Sequence, residues 1–286
     1  MSFNLKLGVS TWLWTSPFTT DTIALFPKIR SMGFDVVEIP VEYPERIDGQ
    51  KVKAALREQG LEAVVCGAFG PSRDLTHEDP AVHENCFNYI RNCFSLCQTW
   101  DAGFLAGPMY SAVGKARQVP PGQREREWDK AVTNLFKVCE LASREGLMIA
   151  LEPLNRFESD LVNTADDVLR LINDINHPAA RVLLDGFHMS IEEKDMEKAI
   201  AAAGDKLIHV QVSENYRGIP GTGQTNWQAL KKGLEAVAYN GTVSIESFTP
   251  EILELAGAVC IWKNLADNQD DFAKQGIGFL KKLFNQ

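Results

Sequence analysis

Residues 146–158 read Gly-Leu-Met-Ile-Ala-Leu-Glu-Pro-Leu-Asn-Arg-Phe-Glu, an apolar run that stops at the carboxylate of Glu152. The run has the length and composition of a buried strand, and the residues after it, beginning with a proline, cannot continue that strand. Three later apolar runs stop in the same way, at Asp185, Gln211 and Glu246. Because the carboxyl ends of parallel strands meet at one rim of an α/β fold, we expect these four polar side chains to converge there.

Strand-like and helix-like segments alternate along the whole chain. The predicted strands are 5–10, 36–39, 61–66, 104–106, 146–152, 181–185, 207–212 and 242–246. Eight helical segments separate or follow them, including 21–32, 191–203 and a last helix at 271–284. Strict alternation with right-handed crossovers predicts an α/β fold of the closed (β/α)8 (TIM barrel) type.

The absence of two sequence features reduces the number of folds that the chain could adopt. No GxGxxG pattern follows the first strand, which disfavours the alternative of a doubly wound open sheet. No linker, low-complexity tract or change in composition divides residues 1–286, so we expect one barrel domain. In the last strand, Ser244 and Glu246 alternate with two β-branched residues, so the polar phase is expected to face the barrel lumen and the apolar phase the helices.

The composition is that of an ordinary globular α/β protein with an acidic balance. Hydrophobic residues make up 45%, and the formal net charge is −9. Such a charge argues against nucleic acid or an anionic membrane as the partner. No apolar run approaches membrane-span length, and the N-terminus lacks the layout of a signal peptide. The six cysteines form no CxxC pair, which predicts reduced thiols in a cytoplasmic protein.

The four side chains at the strand ends predict a metal site. Converging carboxylates repel one another, and a divalent cation removes that repulsion. Glu152, Asp185 and Glu246 would supply anionic oxygens, and Gln211 a neutral amide oxygen. Oxygen-only ligation favours Mn²⁺ or Mg²⁺ over Zn²⁺. Taken singly, each residue is equally compatible with a capped or ion-paired strand end, and it is the set of four that favours a metal.

Three further polar residues lie near these strand ends. His188 follows Asp185 by three residues, Arg217 follows the seventh strand, and Glu158 follows the fifth. We assign His188 and Arg217 to the hydroxyl or carbonyl oxygens of a sugar, with Glu158 steadying one of them. The alternatives are a capping or loop histidine, a surface arginine, and an ion pair between Glu158 and a neighbour.

Aromatic residues near the first and last strand ends are candidates for an apolar wall of the substrate site. Trp12 and Trp14 follow the first strand, and Phe248 follows the last. Core packing is the alternative role for each of them.

The chain resembles the xylose-isomerase-like barrels and is most similar to the ketose 3-epimerases of the D-tagatose and D-psicose (allulose) group. Nearly the whole chain takes part, and the matching motifs are Ala150-Leu-Glu-Pro-Leu-Asn-Arg-Phe-Glu158, Leu184-Asp-Gly-Phe-His-Met-Ser-Ile-Glu-Glu193, and Glu214-Asn-Tyr-Arg217 followed by Pro220-Gly-Thr-Gly-Gln-Thr-Asn-Trp227. The resemblance implies a Mn²⁺ or Co²⁺ site, proton abstraction at C3 of an unphosphorylated ketose, and a homodimer or homotetramer.

The resemblance also implies a role for each matching residue. The metal ligands would be Glu152, Asp185, position 211 and Glu246. Of these, Glu152 and Glu246 would be the acid/base carboxylates. The binders of substrate oxygens would be His188, Arg217 and Glu158.

Gln211 departs from the family pattern, which has a histidine ligand at this position. The amide oxygen is neutral, as imidazole is, but it is a harder and usually weaker ligand, which favours Mn²⁺ or Mg²⁺ over Co²⁺. The substitution leaves two alternatives open: a lyase or dehydratase of a keto-sugar or keto-inositol, including C-glycoside cleavage, and a non-catalytic sugar-binding barrel. An endonuclease of the related barrel type needs more histidine ligands than the five histidines here offer.

Overall fold

The computed structural model describes residues 5–285 and contains a closed barrel of parallel strands in chain order, with the last strand paired to the first. The strands are β1 Lys6–Ser10, β2 Val36–Val41, β3 Glu62–Gly67, β4 Phe104–Gly107, β5 Met148–Leu151, β6 Ala180–Asp185, β7 Leu207–Val212 and β8 Thr242–Ile245. The helices are α1 Phe26–Ser31, α2 Gly49–Gln59, α3 Pro80–Thr99, α4 Pro121–Arg144, α5 Ala165–Ile175, α6 Gly186–Glu192, α7 Met196–Ala203, α8 Trp227–Ala236, α9 Leu253–Ala258 and α10 Gln269–Phe284. The predicted (β/α)8 barrel is confirmed.

The observed helices differ from the predicted ones in three places, and two of these differences add a helix to the strict alternation. The predicted helix 191–203 is two helices, because Asp185 caps α6 directly at the end of β6 and Asp195 caps a new helix, α7. The predicted helix 21–32 begins as a 3₁₀ turn and becomes α-helical at Phe26, where Pro27 lacks the N–H of an interior helix residue. The helix α9, after β8, was not predicted.

The strands separate two apolar layers. Their outward side chains and the helices form the main core, and a smaller cluster fills the lumen. The lumen also contains a buried polar contact, because Glu38 of β2 reaches across to β7 and its Oε2 lies 2.6 Å from Nε2 of His209. Gln211, two residues further along β7, bonds to the same carboxylate, so the polar residues of this strand face the lumen.

No helix within residues 5–285 is both long enough and apolar enough to cross a membrane.

Candidate active site

A cavity of about 250 Å³ lies over the carboxyl ends of the strands. Its polar lining includes the predicted residues Glu152, Glu158, His188, Gln211, Arg217 and Glu246. Asp185 is fully buried and joins this group through its contacts with Arg217 and His188. The volume is at the small end of ligand pockets, which suits a ligand of monosaccharide size better than a nucleotide or a polymer.

Arg217 connects two of the buried carboxylates. Its Nη1 donates to Asp185 Oδ2 and lies 3.0 Å from Glu246 Oε2, while its guanidinium stacks on the ring of Phe187. The residue has a φ of 61°, and Ser247 Oγ donates to its carbonyl oxygen at 2.6 Å, which holds the backbone in this unusual conformation. Burial opposes the charge of Arg217, but Asp185 and Glu246 outweigh that effect and raise its pKa.

His188 stands between a backbone donor and two carboxylates. The N–H of Asn155 donates to Nδ1 at 3.0 Å, so the proton of the neutral ring lies on Nε2. That nitrogen lies 3.4 Å from Glu152 Oε1 and 3.8 Å from Asp185 Oδ2. The Asn155 side chain also donates to Glu158 Oε1 at 2.7 Å. Sequence reasoning missed this role of Asn155, although its position inside the Glu152–Glu158 motif was a signal for it.

The nitrogen and the oxygen of the Gln211 carboxamide differ in their hydrogen bonding. Its Nε2 donates to Glu38 Oε1 at 2.8 Å and to Glu246 Oε1 at 3.1 Å, and Cys66 Sγ lies 3.9 Å away. Its Oε1 is buried and has no hydrogen-bond partner among the described residues. Such an unpaired buried acceptor is rare in folded proteins, and a bound cation would satisfy it.

Burial controls the protonation of both candidate acid/base groups. It raises the pKa of Glu152, against an opposing hydrogen bond from His188. It raises the pKa of Glu246 well above the ordinary value, although Arg217 pulls in the other direction. Each carboxyl can therefore take up and release a proton nearer to neutral pH than an exposed glutamate can.

The donor set fits a divalent metal. Ligand atoms of Glu152, Asp185 and His188 all lie within 4.8 Å of one another. The buried carboxylates of Glu152, Asp185 and Glu246 outnumber the guanidinium of Arg217 beside them, so a dication would reduce their mutual repulsion. Carboxylate and amide oxygens are ligands that hard divalent cations accept.

Aromatic side chains form the other side of the cavity. Trp12 and Phe248 both line it, with ring centroids 5.6 Å apart, and Trp12 Nε1 donates to Glu42 Oε1 at 2.7 Å. The helix α9 adds Leu255 and the residue after the helix adds Val259, so this unpredicted segment closes the apolar side of the mouth.

Trp14 lies elsewhere. Its Nε1 donates to Asp270 Oδ1 at 2.8 Å, Lys28 lies over its ring, and the side chain lines a separate surface depression with Thr19 and Leu25. The 3₁₀ turn Thr11–Leu13 is the physical reason, because it turns residues 12 and 14 in different directions. The structure therefore brings Phe248 to the predicted wall and leaves Trp14 outside it.

The fold and the site together define a (β/α)8 barrel with a buried cluster of carboxylates, imidazole and guanidinium at its mouth. Residues 26–283 match the family described as xylose isomerase-like TIM barrel, and the chain belongs to this family.

Ketose 3-epimerases are among the relatives of the chain. It is 32% identical to a probable ketose 3-epimerase of Synechocystis sp., over 98% of this chain and 97% of the relative. It is 32% identical to an L-ribulose 3-epimerase of Methylomonas sp., over 88% of each chain. A crystal structure of D-allulose 3-epimerase from Methylomonas sp. in complex with D-allulose matches 99% of each chain with a TM-score of 0.90 and 30% identity. The resemblance inferred from the sequence motifs is confirmed.

Proposed function

We propose that this protein is a divalent-metal-dependent ketose 3-epimerase that acts on a free, unphosphorylated ketose or keto-sugar. The observation that carries the proposal is the pair Glu152 and Glu246, two buried carboxyls with raised pKa values that reach one small cavity from different strand ends. The relatives, which carry epimerase names, support the same reaction.

The two carboxyls exchange protons with the substrate carbon. One of them removes the C3 proton next to the ketose carbonyl, and the other delivers a proton to the opposite face of the resulting enediolate. A bound divalent metal would supply charge stabilisation for the oxygen that becomes negative in this step.

His188 and Arg217 are proposed to hold the substrate oxygens beside C3. His188 Nε2 and Arg217 Nη2 lie 3.3 Å apart, so both can donate to one oxygen in the cavity. Glu158 accepts a hydrogen bond from the Asn155 side chain. The backbone N–H of the same Asn155 donates to His188 and orients the imidazole. Phe248 and the neighbouring Trp12 would contact the carbon chain of the sugar.

For the metal, we propose Mn²⁺ bound by Glu152, Asp185, Gln211 and Glu246, with Mg²⁺ or Co²⁺ as the alternatives. The unpaired Oε1 of Gln211 supports its inclusion, and the oxygen-rich set supports Mn²⁺ over softer metals. We further propose a homodimer or homotetramer, which light scattering would test, and a cytoplasmic location.

The test is an assay of the protein stripped with EDTA and then reloaded with Mn²⁺, Mg²⁺ or Co²⁺. Free ketohexoses and ketopentoses are incubated with each form, and the sugars are separated by chromatography. The proposal expects C3 epimers with the metal-loaded protein and none after stripping. Loss of water or of an aglycone, detected by mass spectrometry, would instead indicate the lyase or dehydratase. Binding of sugars without any product would indicate the non-catalytic barrel.

A further inference from the structure

We propose that Glu38 is a positioning residue for the metal site, which fixes the Gln211 carboxamide with its oxygen, and not its nitrogen, free to act as a ligand. Glu38 lies on β2, below the cavity and outside its lining. The inference rests on the proposed function only in taking Gln211 as a metal ligand.

The hydrogen bonds of Gln211 define the orientation of its amide. Both N–H groups of Nε2 point to carboxylate oxygens, one to Glu38 Oε1 at 2.8 Å and one to Glu246 Oε1 at 3.1 Å. Turning the amide by 180° would place Oε1 against the same two acceptors, with no hydrogen between them. The arrangement with Nε2 toward Glu38 is therefore the favourable one, and it leaves Oε1 as the free atom.

Glu38 is itself anchored, so it can act as a fixed reference for Gln211. Its second oxygen, Oε2, lies 2.6 Å from Nε2 of His209, and both side chains are fully buried. Nδ1 of His209 has no partner in the described part of the chain, so the ring proton that makes this bond lies on Nε2. His209 and Gln211 alternate on β7, and one carboxylate from across the lumen holds them both.

The consequence concerns which metals the site prefers. Glu246 alone could hold the amide through a single N–H, and the group could then rotate between oxygen-out and nitrogen-out states. With Glu38 present, the fourth donor is always an oxygen, which favours Mn²⁺ and Mg²⁺ relative to Co²⁺. A residue that touches no ligand atom of the metal would thus contribute to its affinity, as partners of metal ligands do in general.

The test measures Mn²⁺ binding by isothermal titration calorimetry on the stripped, full-length protein, without sugar. Glu38→Gln is expected to raise the Kd by roughly 10–100-fold, the range that outer partners of metal ligands contribute. Glu62→Gln is the matched control, since Glu62 lies on the neighbouring strand β3 and pairs with Lys6 at the surface, so its Kd should stay at the wild-type value.

A double-mutant cycle shows whether Glu38 acts through Gln211. In a Gln211→Ala background, Glu38→Gln should change the Kd by no more than about twofold, because the group that it orients is gone. An unchanged Kd in Glu38→Gln, or an equal loss of affinity in both backgrounds, would overturn the proposal. Failure of the sugar assay with intact Mn²⁺ binding would count against the epimerase and not against this role of Glu38.

A measurement on the wild type covers the case in which Glu38→Gln does not fold. The side-chain NH₂ signal of Gln211, assigned by its absence in Gln211→Ala, is followed by NMR in the metal-free protein and with Mg²⁺. Both protons should exchange slowly with water, because both are held by buried carboxylates. Exchange at the rate of surface glutamines in the chain would contradict the proposal.

Discussion

The two halves of the barrel mouth differ sharply in chemistry. The ends of β5 to β8 and the loops that follow them carry the carboxylates, His188, Gln211 and Arg217. The ends of β1 to β4 and the loops that follow them contribute mainly apolar surface, including Trp12, Phe69 and Val113, and Phe248 and α9, after β8, extend this surface. The comparison teaches that the groups that we propose for the metal and the reacting carbon lie together in one half, while the other half shapes the space that remains for a substrate.

The few polar groups on the apolar half support this division. Glu42 follows β2 and lines the cavity, but its oxygens accept from Trp12 Nε1, Ser16 Oγ and the N–H of Phe18. Its hydrogen bonds therefore hold the apolar wall in place. On the polar half, by contrast, the charged groups contact one another around the cavity.

The largest expected effect comes from removing an acid/base group of the polar half. Glu246→Gln should lower kcat by roughly 10²–10⁴-fold, the contribution of general acid/base catalysis, with the fold intact by circular dichroism. Glu235→Gln, on the exposed surface of α8, is the control and should retain wild-type activity. Full activity of Glu246→Gln would contradict the role that we assign to Glu246.

The second-largest expected effect comes from removing the positive charge of Arg217 from the polar half. Arg217→Met removes the donor to Asp185 and a substrate-oxygen ligand, so kcat/KM should fall by roughly 10²–10³-fold, as on loss of one oxyanion donor. The control is Arg144→Met, because Arg144 pairs with Glu140 at the surface and should matter little. Steady-state kinetics with the preferred ketose would decide between these outcomes, and equal loss in both variants would contradict the assignment.

A smaller effect is expected on the apolar half. Trp12→Phe keeps a ring in the wall but loses contact area and the hydrogen bond to Glu42 that fixes the position of the ring, so KM should rise by about fivefold with kcat nearly unchanged. Trp14→Phe is the matched control, since Trp14 lies outside the cavity, and its KM should equal that of the wild type. If Trp14→Phe raised KM and Trp12→Phe did not, the placement of the wall would be wrong.

The smallest effect on activity, but a measurable one on stability, is expected at Glu214, in the turn that carries Arg217. Burial would raise its pKa, but hydrogen bonds from Trp227 and Thr225 lower it on balance. A lowered folded-state pKa stabilises the fold above the ordinary glutamate pKa, and this contribution is lost as the pH falls through the lower value.

The corresponding variant is Glu214→Gln, measured by urea unfolding between pH 3 and pH 7. Its free energy of unfolding should be about 2 kcal/mol below that of the wild type at pH 7. The difference should shrink as the pH falls below the ordinary glutamate pKa. A difference that stays constant over this range would show that the charge of Glu214 contributes nothing.

Much of the fold and of the site could be predicted because strand ends carry a local signal. Apolar runs that stop at Glu152, Asp185, Gln211 and Glu246 indicate both the parallel barrel and its polar rim. The structure brings all four to one place, and His188 and Arg217 with them.

Three features could not be predicted, for physical reasons. Glu38 sits in the middle of β2 and looks like any strand residue, because its contact with β7 depends on the barrel closing. The direction of Trp14 depends on a 3₁₀ turn that the sequence does not signal. The helix α9 is six residues long, too short for a periodic pattern, and it packs on Phe248 and Trp12 only in the folded chain.

The most direct test of the account is the exchange of the C3 proton of a ketose in D₂O, followed by proton NMR. With the Mn²⁺-loaded protein, we predict deuterium at C3 of the epimer that forms, because the second carboxyl delivers a solvent-derived proton. The EDTA-stripped protein should produce neither exchange nor epimer, and the Glu246→Gln variant should produce no epimer. If no ketose in the panel lost its C3 proton with Mn²⁺ bound, that result would contradict the account.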